Sequence, residues 1–201
     1  MSKPNRNRFA VTIVVGTSVV FGVATHALAH SVNKRFGDFY GGMLHPLTAM
    51  EHLLPIIGLG LLAGQQGTKQ ARWVLLLFAT GMLTGAVVSG YVEPISFVAW
   101  FNRFSLIAVG ILVAFAARLP FPLLAATALL LGLSHGYENT ADISTAVATY
   151  LFVPGVVASG IALVAVVAAI AVSRQAPWQR VAVRVVGSWI AAIGLLVISV
   201  A

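Results

Sequence analysis

From Gly41 onward the chain is apolar sequence cut by short polar punctuation into six stretches, at 41–64, 71–92, 95–117, 120–137, 144–172 and 179–200. Each is close to the roughly 20 residues a helix needs to cross a bilayer. A chain that enters lipid six times has few folds open to it. Backbone N–H and C=O groups find no water in the hydrocarbon, so each stretch must satisfy its own as a helix. The expected fold is therefore all-α, a polytopic membrane bundle of six transmembrane helices. Composition agrees, since 59% of the 201 residues are hydrophobic and 8% are charged, too few charges to cover a soluble surface.

The net charge of +7 does not point to nucleic acid. The Lys and Arg residues stand singly between apolar runs, without the clustered basic face such binding needs. They report topology instead. Lys69 and Arg72 follow the first stretch, Arg118 the third, and Arg174, Arg180 and Arg184 the fifth, which assigns those connections to the inside. The alternate connections hold Glu93-Pro94 and Glu138-Asn139-Thr140-Ala141-Asp142, with no basic residue, and belong outside. Residues 1–29 read as a signal peptide: Lys3, Arg6 and Arg8, an apolar run from Phe9 to Val23, then Ala27-Leu28-Ala29 as the cleavage site. An uncleaved anchor helix is the competing reading. The expected organisation is a cleaved leader over 1–29 and a six-helix domain over 30–201, with both mature termini outside.

Inside this frame the stretch 41–64 carries three ionisable side chains with no structural need to be there: His45, Glu51 and His52. A charge at the centre of a membrane helix costs about 3 kcal/mol on the insertion scale, so such a set is a functional-site hypothesis by default. Histidines at i and i+7 of a helix share a face two turns apart, which sets His52 about 10 Å deeper than His45, with Glu51 next to that face. Interhelical hydrogen bonding is the plainer reading of the same residues. The fourth stretch ends in Ser134-His135-Gly136-Tyr137-Glu138, whose His and Glu at i, i+3 also share a face. The topology puts His45, Glu51, His52, Glu93, His135 and Glu138 in the outer half of the membrane. Pro55 adds a backbone oxygen, because it offers no N–H to the carbonyl of Glu51 four residues earlier. Arg103 is the one deep cation, expected to pair with Glu93 or Glu138 or to snorkel outward. Asn102 beside it could supply an amide ligand or a hydrogen bond. Small residues at four-residue spacing, Gly81, Gly85 and Ser89 or Gly132 and Gly136, predict close helix contacts.

No cysteine is present, which excludes disulfides, thiolate zinc sites and cysteine-ligated iron–sulfur clusters. Any metal must be held by N and O donors. Nickel, cobalt, copper(II) and zinc all accept imidazole and carboxylate.

At these residues the sequence resembles the HupE/UreJ family of nickel permeases. That family's first transmembrane helix carries a His, five residues, then Asp-His, matched here by His45 and Glu51-His52. Its fourth carries a His-Gly pair followed shortly by Glu, matched by His135-Gly136-Tyr137-Glu138. The departure is Glu51 where Asp is usual, one methylene longer, which bears on the choice of metal. An acidic residue ending the second helix also belongs to the family pattern, and Glu93 is its candidate. The resemblance implies a bacterial inner-membrane permease taking up a divalent ion, nickel first and cobalt next, with no prosthetic group and no enzymatic activity. Uptake down the membrane potential would suffice, since a divalent ion gains about 4.6 kcal/mol per 100 mV, twice the unit-charge value. No Walker-type nucleotide loop is present.

Two other classes fit the same residues. A membrane-embedded zinc hydrolase would use three histidines and a glutamate, although the HExxH spacing is missing. A haem-binding electron carrier would use His45 or His52 with His135 as axial ligands. The residues leave open which metal is carried, whether protons are coupled, and whether the protein is a homo-oligomer.

Overall fold

The computed structural model describes residues 37–92, 94–141, 143, 146–174 and 176–200. Its described part is all-helical: α1 (Gly37–Thr48), α2 (Met50–Gln66), α3 (Thr68–Ser89), α4 (Ser96–Ala114), α5 (Phe121–Ala141), α6 (Thr149–Ser173) and α7 (Pro177–Ser199). The leader expected over 1–29 lies outside the described residues, as do Glu93 and Asp142.

Four of these helices, α3, α4, α6 and α7, are each long and apolar enough to cross a membrane, and α1 with α2 passes the same test as a bent pair. α5 is long enough at 21 residues. It falls short in apolar content because its last two turns carry Ser134, His135, Tyr137, Glu138, Asn139 and Thr140. Those turns were expected to be an outer connection from Glu138 on. They stay helical because their polar groups are used internally: the Asn139 amide donates to the His135 carbonyl at 2.7 Å, and the Thr140 hydroxyl lies 2.7 Å from both the Gly136 carbonyl and the Ser89 hydroxyl.

The first stretch is not one helix. It breaks at Ala49, which is extended (φ −101°, ψ 116°), and the two halves meet at 78°. Local chemistry prepares the break: Pro46 withholds an N–H from the carbonyl of Gly42, and the Thr48 hydroxyl bonds back to the His45 carbonyl at 3.0 Å. Tertiary packing completes it. α1 lies against α6 so closely that a Cβ at Gly42 would strike the Phe152 carbonyl, and one at Gly155 would strike that of Phe39. Asp38 adds a tie, its carboxylate accepting the Ala148 N–H at 2.7 Å.

α2 is the central element and packs against α3, α4, α5, α6 and α7. Its Ile56, Leu59 and Leu62 meet Phe78, Met82, Leu106, Val109 and Val156 in one continuous core. α3 and α5 run side by side along a seam of small residues. Gly81 faces Gly132, Gly85 lies against the Leu133 carbonyl, Gly136 lies against Met82, and Ser89 bonds Thr140. The four-residue spacing read from sequence is the register of this seam.

Candidate metal centre

The seam fixes α5 with the face of His135 and Glu138 turned away from Gly136 and toward the start of α2. There His52, in the first turn of α2, brings its Nδ1 to 3.2 Å from Nδ1 of His135. The rings are nearly perpendicular, with centroids 5.5 Å apart. Glu138 joins them, so that one ligand atom from each of the three residues lies within 4.8 Å of the others. His52 is 5% and His135 0% exposed, while Glu138 is half-buried.

Two neutral imidazoles that meet Nδ1 to Nδ1 share one proton between them, one ring donating and the other accepting. The same spacing suits a metal in place of the proton. With metal–nitrogen distances of about 2.0–2.1 Å, two ligands stand about 2.8–3.0 Å apart at a right angle and about 3.3–3.4 Å apart at the tetrahedral angle. The observed 3.2 Å falls between those limits. Direct ring contact also leaves no room for a porphyrin between His52 and His135, whose iron would have to separate the two nitrogens. Three further atoms around this turn of α5 are buried and lack a hydrogen-bond partner: Nε2 of His135 and Oδ1 of Asn102 and of Asn139. Buried polar atoms are seldom left this way in a finished core, and such exceptions call for an explanation.

The other expected ligands take different places. The break at Ala49 folds His45 back over His52, with ring centroids 6.1 Å apart. A straight helix would have set them about 10 Å apart along its axis; the 78° bend removes that common axis. His45 is half-buried, and its ring meets the edge of Phe152 on α6 at 5.6 Å. Glu51 is half-buried in the first turn of α2, where the helix dipole favours a carboxylate, and it is not one of the grouped trio. Glu93 lies outside the described residues. Arg103 lies over the Trp100 indole, 5.1 Å from the ring centroid; it is the neighbouring Asn102 whose amide donates to Glu138.

Asn139 and Phe152 were not singled out from sequence. Asn139 follows His135 by four residues, so the helical period alone would have put it on the same face. Phe152 comes from another helix, and no local pattern announces it.

Residues 18–197 match the protein family described as HupE / UreJ protein. Protein HupE of Rhizobium leguminosarum bv. viciae is similar to this chain, 25% identical over 179 residues that cover 89% of this chain and 94% of that protein. No solved structure matches significantly.

Proposed function

Because this chain belongs to the HupE/UreJ family, we propose that it takes up a divalent transition-metal ion, nickel or cobalt first, across the bacterial inner membrane through a site built on His52, His135 and Glu138. The observation that carries this reading is the trio itself. Two imidazoles and a carboxylate from helices far apart in sequence converge at ligand spacing in a chain made for lipid. Two N donors and one O donor match the borderline ions of the first transition row better than calcium or magnesium, which take oxygen alone.

Half-buried His45 and Glu51 lie on the approach, and Glu93, which follows α3 in sequence, is a further candidate carboxylate. Beyond the trio the path is closed. The next turns of α2 present Ile56, Leu59 and Leu62, each at most 1% exposed. An ion held by His52 and His135 therefore crosses only if the helices shift around it, with the site opening first to one side and then to the other. Counting the bent α1–α2 pair and α5 as spans gives six crossings. Residues 1–29 act as a removed leader before the domain 30–201, and both mature termini lie outside.

The test is uptake of radioactive nickel by cells or proteoliposomes carrying His52→Ala or His135→Ala. Each change removes a proposed ligand without burying a new charge, so uptake is lost while folded protein stays in the membrane. If both variants transported at the parental rate, α2 and α5 would share no metal site and the reading would fall.

A further inference from the structure

Asn102 is a buried polar residue that the trio does not account for. It sits on α4, a third helix, and is 3% exposed. Its Nδ2 donates to the Glu138 carboxylate and lies 3.5 Å from the Ser134 carbonyl, one turn earlier on α5. Both amide hydrogens thus have a destination. Its Oδ1 is buried with no partner, and a buried acceptor left unmade is destabilising. The idle oxygen belongs to the same planar amide whose nitrogen touches a trio residue. Asn139 differs in kind, because its amide bonds the carbonyl of its own helix, whereas Asn102 reaches the trio from another one.

Resting on the trio as the ion's site, we propose that Oδ1 of Asn102 is a fourth ligand to the transported divalent ion, contributed by α4. The donor set becomes two imidazoles, one carboxylate and one amide oxygen, spread over three helices. With no ion present, the amide turns its NH2 to Glu138 and holds the carboxylate in place. When an ion arrives, half a turn about the terminal torsion exchanges nitrogen for oxygen in nearly the same space, and that torsion is a soft one. The oxygen then faces the cation instead of a bare carboxylate. A set with two oxygen donors suits an ion that fills a larger coordination shell with water, as nickel and cobalt do, over one that closes a tetrahedron with sulfur and nitrogen. It also makes ion occupancy a tie between α4 and α5.

The test uses the full-length protein, purified in detergent, with Co²⁺ alone as the probe, read by calorimetry and by visible ligand-field absorption. Asn102→Leu keeps the size and loses the oxygen, so Co²⁺ binds about tenfold more weakly or worse, with a changed absorption spectrum. Asn102→Asp keeps an oxygen but loses the donor to Glu138, so Co²⁺ binding is retained. Parental affinity and spectrum in Asn102→Leu overturn the proposal, as does tenfold weaker binding in Asn102→Asp, which would make the amide a hydrogen-bond donor only. Should the variants not fold, the parental protein with ¹³C-amide asparagine decides: the labelled carbonyl stretch shifts in the infrared difference spectrum on adding Co²⁺, and an unshifted band overturns it. A parental protein that binds no Co²⁺ brings down the trio as well; binding that depends on His52 and His135 but not on Asn102 brings down this inference alone.

Discussion

Glu51 and His52 are neighbours in sequence, yet the helix gives them different work. His52 turns inward to His135 and is buried; Glu51 is rotated about 100° away and stays half-buried near the start of α2. In the proposed uptake, a carboxylate there would act on the ion through charge, offsetting the loss of its hydration as it leaves water. Glu51→Gln is therefore expected to raise the KM for nickel about tenfold to a hundredfold, the range seen when groups around a metal site are neutralised, with less effect on the maximal rate. Glu51→Asp keeps the charge on a shorter arm and retains uptake, with an altered ratio of nickel to cobalt transport. Saturation curves for the three proteins check both statements, and a KM unchanged in Glu51→Gln would remove Glu51 from the approach path. The pairing of His135 with Glu138 was legible from sequence because three residues is a helical spacing. The partnership of His52 with His135, 83 residues apart, was not.

At the scale of elements, the α3–α5 seam decides where half of the site stands. Gly85 on α3 touches no proposed ligand, but a Cβ there would overlap the Leu133 carbonyl and crowd the Tyr137 N–H on α5. Gly85→Ala must push the two backbones apart, at a cost of about 1–3 kcal/mol for an overpacked contact. It is expected to lower the melting temperature in detergent and to weaken Co²⁺ binding, because His135 and Glu138 move with α5. Gly90→Ala is the control, since a Cβ there would have its nearest neighbour, the Val87 carbonyl, at an ordinary 3.5 Å. Equal stability and equal binding in both variants would show that the seam does not hold the site. This seam was readable in advance, because a repeat of small residues every four positions defines a helix face by itself. The bend at Ala49 was not readable. Pro46 and Thr48 weaken the helix locally, but the direction of the turn comes from the docking of α1 on α6.

Among the described residues the charges, Arg103 apart, separate by end. Arg118 donates to the Gln65 carbonyl and Arg184 to the Ala114 carbonyl at 2.8 Å, so the basic connections gather where α2 and α4 finish and α7 begins. Asp38, Glu51, Glu138 and, among the described histidines, His45, His52 and His135 lie at the opposite end, where α2 begins and α5 finishes. Since Lys and Arg stay on the cytoplasmic side, a reporter fused after Gly67 or after Ala176 is expected to lie in the cytoplasm and one after Thr140 outside. Labelling in the reverse sense would place the histidines at the inner face and turn the direction of transport toward export.

By itself the sequence determined that this protein is helical and membrane-borne, which of its helix faces are small enough to touch, and which side groups are costly to place in lipid. Those properties depend on local period and on transfer free energy, and neither needs a partner helix to be known. Only the tertiary structure decided that His45 folds back over His52, that His52 meets His135, and that Asn102 reaches Glu138 from α4. The last two contacts join residues tens of positions apart, and what sets all three is how closely whole helices can pack, through Gly42 against Phe152 and Gly136 against Met82, which no single stretch of sequence records.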